Sequence, residues 1–250
     1  MFFKASSHRK QSSFPRIQVS HIKYKELSST KTVIYSSLIH HYSFHTKDND
    51  VAVMRTKNKP HKSASTYVIS IHQDRMKRQE PPEMLFLGKL KSEDISGSLY
   101  SIYEADQLGC LSNPDYTSKM GKIIFAPSTK GIRKTEVYFG QSQNSECKVA
   151  SNNNTRTTDE AKYPNSLRSK KPKWRPDLGC YTMDFGGRVT MRSKKNCQLE
   201  YCDKNGDDQQ STVVYQFGRV EENEFSLDFQ WPLSPFFAFA IAIAVCNSSI

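Results

Sequence analysis

The stretch that decides the fold lies near the C-terminus, where residues 236–246 read FFAFAIAIAVC without one polar side chain. Ser234 and Pro235 precede it, and these residue types are typical of a helix N-cap and a first helical position. The alternation of large and small residues would also suit a strand. As a helix it is about 16 Å long, roughly half of a bilayer core. Since a helix that is apolar on every side must be enclosed on every side, we predict a closed β-barrel around it, with a tail anchor as the alternative.

Short apolar segments upstream of this tail supply the strands. These segments are rich in Val, Ile, Tyr and Phe and are separated by polar turns. The first six predicted strands are Thr32–Phe44, Asp50–Met54, Thr66–Ile71, Ser98–Glu104, Lys122–Ala126 and Lys134–Gly140. A four-stranded antiparallel meander is predicted after them from Cys180–Phe185, Arg188–Tyr201, Thr212–Val220 and Glu224–Trp231. Gly186-Gly187 is its first hairpin signal. Without β-α-β alternation, nucleotide folds built on parallel sheets are disfavoured.

The chain divides into a tail and one domain. Residues 1–30 have no apolar periodicity and no acidic residue before Glu26, which predicts a disordered basic arm. Residues 31–250 form the predicted barrel domain. Within it, residues 141–160 have almost no apolar content and are predicted to be a flexible loop insertion.

Charge is the strongest compositional signal. The chain has 36 Lys and Arg against 25 Asp and Glu, a net charge of +11. This balance favours an acidic partner, such as nucleic acid, an anionic membrane face or polyphosphate. The six cysteines form no C-x-x-C pair, so we predict reduced, buried thiols and no zinc site.

Motifs for catalysis or cofactor binding are not found. His40, His41 and His45 resemble a metal cluster, but the residues around them favour a strand, and Tyr42 stands where H-E-x-x-H requires Glu. Asp184 and Asp228 have no partner at a spacing that suggests acid–base chemistry, so they are predicted to face solvent. There is no nucleophile elbow, P-loop or dinucleotide fingerprint. We therefore predict no enzyme, no catalytic residue, no metal and no cofactor.

Three basic runs remain as candidate binding surfaces. Residues 55–62 (RTKNKPHK) carry Arg55, Lys57, Lys59 and Lys62, and residues 168–175 (RSKKPKWR) are denser still. The third run is Arg188, Arg192, Lys194 and Lys195. Each run alone is typical of a solvated surface, and Trp174 is predicted to pack on the barrel wall. Together the second and third runs support one alternative function, a nucleic-acid-binding or transcriptional cofactor.

Several C-terminal segments, taken in order, resemble the tubby C-terminal domain. They are residues 181–190 (YTMDFGGRVT), 195–199 (KNCQL), 216–220 (QFGRV), 225–229 (FSLDF), 232–233 (PL) and 238–242 (AFAIA). Upstream, residues 66–70 (TYVIS), 88–92 (GKLKS) and 131–134 (GIRK) are similar to family motifs in the same order. The resemblance covers about residues 31–250. The F-box that plant members carry is not expected in residues 1–30.

The resemblance implies a mainly β fold, a closed antiparallel barrel of roughly twelve strands around a buried hydrophobic C-terminal helix. It also implies a non-catalytic adaptor that binds phosphatidylinositol 4,5-bisphosphate at the inner leaflet of the plasma membrane. By the same resemblance Lys89 and Lys91 grip the headgroup phosphates, with Thr66 at the position of an assisting Asn and Lys119 at that of a further Arg. The run Arg55, Lys57, Lys59 and Lys62 is the supporting basic surface. We expect a monomer in the cytoplasm, peripheral at the plasma membrane, with the nucleus as a second location.

Departures from the family pattern bear on this site. Lys91 replaces an Arg, so the charge is kept and the bidentate fork is lost. Glu93 and Asp94 follow directly, and two acids beside two lysines bring the local balance near zero. A scaffold whose lipid site has decayed is therefore a further alternative.

Overall fold

The structure is a computed structural model that describes residues 18–26, 40–46, 49–60, 65–72, 84–105, 117–127, 133–140, 163–201, 212–221 and 224–249. The described part is mainly β, with one large antiparallel sheet and one C-terminal helix. These features confirm the mainly β class and the C-terminal helix of the predicted fold.

Fourteen strands are present in these ranges. In chain order they are β1 Gln18–Glu26, β2 His40–Thr46, β3 Asn49–Pro60, β4 Ser65–His72, β5 Met84–Ser92, β6 Leu99–Ala105, β7 Thr117–Ala126, β8 Lys134–Phe139, β9 Asn165–Ser169, β10 Lys173–Arg175, β11 Cys180–Thr182, β12 Cys197–Tyr201, β13 Thr212–Glu221 and β14 Glu224–Phe229. Strands β10 and β11 form a separate two-stranded sheet.

The other twelve strands pair in a cyclic order. The hydrogen-bonded sequence is β1-β14-β13-β12-β9-β8-β7-β6-β5-β4-β3-β2, and β1 also pairs with β2, which closes the barrel. Inward positions are apolar: Leu90, Ile102, Ile123 and Leu199, from four different strands, are fully buried. The inner faces of the strands therefore form the core.

Helix α1, Pro235–Asn247, is part of this core. The Ser234 hydroxyl accepts a hydrogen bond from the Phe237 N–H at 3.3 Å, which confirms the predicted N-cap. Every residue from Phe236 to Val245 is buried, so the tail-anchor alternative is wrong. A Cβ added to Gly88 would collide with the Tyr103 carbonyl oxygen on β6 and would lie 2.6 Å from the Phe236 ring, so β5 needs glycine where it packs against β6 and the start of the helix.

At its C-terminal end the helix meets two cations. The Arg133 guanidinium donates to the Val245 carbonyl at 3.3 Å, and the Lys195 ammonium donates to the Ser248 carbonyl. Cations are favourable there because the last carbonyls of a helix lack intrahelical partners and carry partial negative charge. The same end contacts the turn between β5 and β6, where the Ser249 N–H donates to the Ser96 carbonyl at 3.3 Å.

The turn between β5 and β6 is organised by one carboxylate. Asp94 accepts hydrogen bonds from the Ser96 hydroxyl at 2.8 Å and from the backbone N–H groups of Ser98 at 2.9 Å and Leu99 at 3.3 Å. The Ser98 hydroxyl donates to it as well. Gly97, at a φ of +64°, completes the turn, because a Cβ there would lie 2.7 Å from the Tyr100 hydroxyl.

The structure corrects one predicted boundary in the chain's organisation. The basic arm was expected to reach residue 30, but Gln18–Glu26 form β1. Its sequence has weak apolar alternation, and its partners β2 and β14 come from distant parts of the chain. The predicted loop at 141–160 lies outside the described residues, as do residues 32–39 of the first predicted strand.

The predicted hairpin at Gly186-Gly187 is also wrong. Cys180–Thr182 pairs with β10, which the sequence did not indicate, and residues 188–196 are not a strand. Arg188 instead makes a bidentate ion pair with Asp228, at 2.8 and 3.0 Å, so this segment is held across the outside of the barrel. Asp228 was predicted to face solvent, and the ion pair corrects that prediction too. Strands β12 to β14 are the true meander.

Cysteine thiols in the described ranges are free. Burial raises the pKa of Cys197 to about 11 and that of Cys246 to about 12. Cys197 agrees with the predicted buried thiols, whereas Cys246 is partly buried and Cys180 is exposed. No helix in the described part is long and apolar enough to cross a membrane.

The hydrogen bonds that Asp94 accepts predict how the stability of the fold depends on pH. Partial burial opposes the ionisation of this carboxylate, but hydrogen bonds from Ser98, Ser96 and the backbone outweigh burial and hold the pKa of Asp94 below its ordinary 3.8. A carboxyl with a depressed folded-state pKa stabilises the fold above its unfolded-state pKa and loses that contribution as pH falls through the folded value. Asp94→Asn should therefore be less stable than the unmodified chain at neutral pH, and the difference should shrink below pH 3.8.

Urea unfolding at several pH values between neutrality and acid measures this difference. Adding Ser98→Ala to Asp94→Asn should cost little more, because both changes remove the same interaction. A stability difference that stays constant over the pH range would contradict this role for Asp94.

Candidate anion-binding face on strands β4 to β7

Strand β5 directs two lysines outward. Gly88, Leu90 and Ser92 are buried, and the residues between them, Lys89 and Lys91, alternate to the opposite face of the strand. The Lys91 side chain is 44% exposed. The predicted headgroup lysines therefore lie on the outer wall of the barrel.

The first row of the site crosses the sheet through Lys91. Its backbone is paired with Thr66 on β4 and with Ser101 on β6, and Ser101 is paired with Lys122 on β7. Residues directly opposite one another in antiparallel strands share a face. Thr66, Lys91, Ser101 and Lys122 thus form one line across four strands.

The second row runs parallel to the first through Lys89. Lys89 is paired with Val68 on β4 and Tyr103 on β6, and Tyr103 is paired with Lys119 on β7. The Lys89 ammonium lies 5.4 Å from the centre of the Tyr103 ring. At this distance the ring quadrupole attracts the cation and limits where the ammonium can lie. Lys89, Lys91, Lys119 and Lys122 together are called the lysine face below.

Lys122 is the residue that sequence reasoning missed. Lys119 and Lys122 are three positions apart, so in a regular strand they would point to opposite faces. The register shifts between Ile102 and Tyr103, where β7 contains one extra residue, and this bulge brings both lysines to the same face. Gly121, inside the bulge, was the available signal, since glycine within a strand often marks one.

Strand β3 continues both rows at the level of the backbone. Lys59 is paired with Thr66 and Lys57 with Val68. Arg55, in the same predicted basic run, is paired with Ser70 further along the strand. Lys62 lies outside the described residues.

Glu93 is the carboxylate that competes for the lysine face. Its Oε2 lies 3.4 Å from the Lys91 ammonium. Partial burial opposes its ionisation, but the Lys91 ammonium and the charge of Lys119 hold the pKa of Glu93 below its ordinary value. Lys91 and Lys119 therefore act on a common point from two different strands.

Three cations in the other two basic runs have intramolecular partners. Arg188 is bound to Asp228, Lys195 to the end of α1, and Arg175 to Asp177 at 2.8 and 2.9 Å. Trp174 is half exposed and packs edge-on against Tyr181 of β11, with ring centres 5.1 Å apart, which corrects the predicted packing on the barrel wall. Nucleic-acid binding by these runs stays a prediction.

In the part of the chain that the structure describes, no group of three or more His, Cys, Asp or Glu side chains could hold a metal ion. The lysine face presents four ammonium groups beside Glu93, and a cluster of ammonium groups attracts an anion with several negative charges.

Comparison with known proteins identifies the family of this chain. The sequence matches the family described as Tub family over residues 17–248. It is 28% identical to human tubby-related protein 1 over 79% of this chain and 38% of that protein. It is 30% identical to protein king tubby 1 of Aedes aegypti over 72% of this chain and 44% of that protein.

A plant relative is similar over a shorter region. Tubby-like F-box protein 6 of Oryza sativa subsp. japonica is 38% identical over 34% of this chain and 21% of its own length. The chain thus spans less than half the length of these three relatives. Because the family match extends from β1 through α1, the chain belongs to the Tub family.

Proposed function

We propose that the protein is a non-catalytic tubby-like adaptor that docks on membranes containing phosphatidylinositol 4,5-bisphosphate. The observation that carries this proposal is the lysine face, in which four ammonium groups from two strands flank a third strand on the outer wall. Docking there would make the protein peripheral at the cytoplasmic leaflet of the plasma membrane. Its partner would be the anionic lipid surface itself.

The dimensions of the lysine face suit a single headgroup. Strands β5 and β7 are two strand spacings apart, about 10 Å. Flexible lysine side chains from both strands can contact vicinal phosphates that lie between β5 and β7. Each basic residue near an anionic leaflet contributes about 1 kcal/mol, so four lysines outweigh Glu93.

Lys122 offsets the loss of the family's arginine. Lys91 keeps the charge of that arginine without its planar fork, so each phosphate is held by point charges. A cation at Lys122, in register with Lys91 across Ser101, adds a charge that the motif GKLKS alone does not contain. Selectivity would then depend on the number of phosphates more than on a bidentate geometry.

Removing the two β5 lysines tests the site. Lys89→Ala with Lys91→Ala should weaken binding to phosphatidylcholine vesicles containing phosphatidylinositol 4,5-bisphosphate by about thirtyfold, the equivalent of about 2 kcal/mol. Co-sedimentation measures this change. Vesicles in which phosphatidylserine supplies the same surface charge show how much of the binding is specific for the headgroup.

The matched control removes equal charge elsewhere. Lys171→Ala with Lys173→Ala changes two exposed lysines beyond β9 and should leave vesicle binding nearly unchanged. Equal losses from both double variants would mean that overall charge drives binding, and the proposed site would be wrong.

Glu93 offers a test in the opposite direction. Of the two acids after Ser92, Asp94 is occupied by the donors of its turn, whereas Glu93 is paired with Lys91. Removing the charge with Glu93→Gln frees Lys91 and should strengthen vesicle binding about fivefold, the equivalent of about 1 kcal/mol.

The same titration separates the proposal from its alternative. If the unmodified chain fails to bind and Glu93→Gln binds, the protein is a scaffold with a decayed lipid site. If Glu93→Gln weakens binding, Glu93 orients Lys91 productively and does not compete with the headgroup.

A further inference from the structure

The tip of the turn between β5 and β6 presents an aliphatic side chain to solvent. Ile95 is 86% exposed, the highest value among the exposed large hydrophobic residues of the described chain. It stands four positions after Lys91 and two after Glu93. A single exposed aliphatic residue is ordinary on a protein surface. What distinguishes Ile95 is its position beside the lysine face and the hydrogen bonds that fix the backbone around it.

The backbone around Ile95 is fixed on both sides. The Glu93 N–H donates to the Leu99 carbonyl at 2.8 Å, which closes the base of the turn, and Asp94 binds the residues that follow. Beyond the tip, the Ser96 carbonyl accepts from Ser249 after α1. The turn therefore cannot fold Ile95 inward without breaking these bonds, and none of them uses the Ile95 side chain.

Ile95 also lies three residues beyond the end of β5, the strand that carries two lysines of the lysine face. Lys91 is the penultimate residue of β5, and its ammonium contacts Glu93 inside the turn. Cations beside a projecting aliphatic residue are the combination that suits the boundary between headgroups and acyl chains. The positive charge favours an anionic surface. Burial of the aliphatic group makes binding more favourable only if that surface has an apolar layer beneath it.

We propose that Ile95 inserts into the headgroup–acyl boundary of the anionic bilayer whose phosphoinositide the lysine face binds. This inference rests on the proposed function and deepens it. It commits the site to lipid in a membrane, as opposed to a soluble inositol phosphate of the same charge. The fixed turn lets insertion occur without ordering a flexible loop, which would cost conformational entropy.

Two ligands with the same headgroup test the proposal. Ile95→Ser should weaken binding to vesicles containing phosphatidylinositol 4,5-bisphosphate about tenfold, since the apolar contact is lost. Its affinity for soluble inositol 1,4,5-trisphosphate, measured by calorimetry, should equal that of the unmodified chain. Ile95→Leu should retain vesicle binding. Because Ile95 is exposed, thermal unfolding of these variants should be unchanged.

Met191→Ser is the matched control. Met191 is 41% exposed, and its N–H donates to Arg219 on β13, which lies six strands from β5 in either direction around the ring. It should bind vesicles like the unmodified chain. Equal losses from Met191→Ser and Ile95→Ser would assign the effect to general surface hydrophobicity and overturn the proposal.

The outcomes also separate this inference from the proposed function. If the double lysine variant loses vesicle binding while Ile95→Ser does not, insertion is wrong and the lysine site stands. If Ile95→Ser weakens both ligands equally, Ile95 supports the site and does not enter lipid, so insertion is wrong. If the unmodified chain binds neither ligand, both the proposed function and the insertion fail.

Discussion

Enclosure of an entirely apolar helix is the constraint on which the rest of the structure depends. From Phe236 to Val245 every residue of α1 is buried, so the helix has no side that water could cover without cost. A ring of twelve strands supplies contacts in all directions. Close packing explains local choices, such as glycine at position 88 on β5, where a side chain would collide with Phe236.

The C-terminal end of the helix connects the buried core to the surface of the barrel. The Val245 carbonyl of α1 accepts a hydrogen bond from Arg133, and the carbonyl of the C-cap Ser248 accepts one from Lys195. The residues at this end contact the turn at Ser96 and Gly97. This turn ends β5, the strand that carries Lys89 and Lys91. A buried helix with no polar side chain from residue 236 to residue 246 thus helps to fix the position of a charged outer surface.

Much of this was visible in the sequence, for physical reasons. The apolar tail required enclosure, Ser234 and Pro235 marked its start, and the resemblance of residues 88–92 to a family motif indicated Lys89 and Lys91. Features that depend on distant pairing were not visible. These include β1, the Arg188–Asp228 ion pair that replaces a predicted strand, and the bulge that brings Lys122 beside Lys119. Likewise Glu93 and Asp94 look equivalent in the sequence. The structure distinguishes them, because Glu93 pairs with Lys91 whereas Asp94 accepts hydrogen bonds within the turn.

Amide hydrogen exchange of the full chain, followed by mass spectrometry, tests the enclosure of α1 most directly. Peptides covering residues 236–247 should exchange as slowly as those from the core strands, through global unfolding alone. The β5–β6 turn, which is held by the helix end, should be slower than an exposed turn such as residues 176–179. Fast exchange of 236–247 while the strands stay protected would show a helix outside the barrel and contradict the architecture.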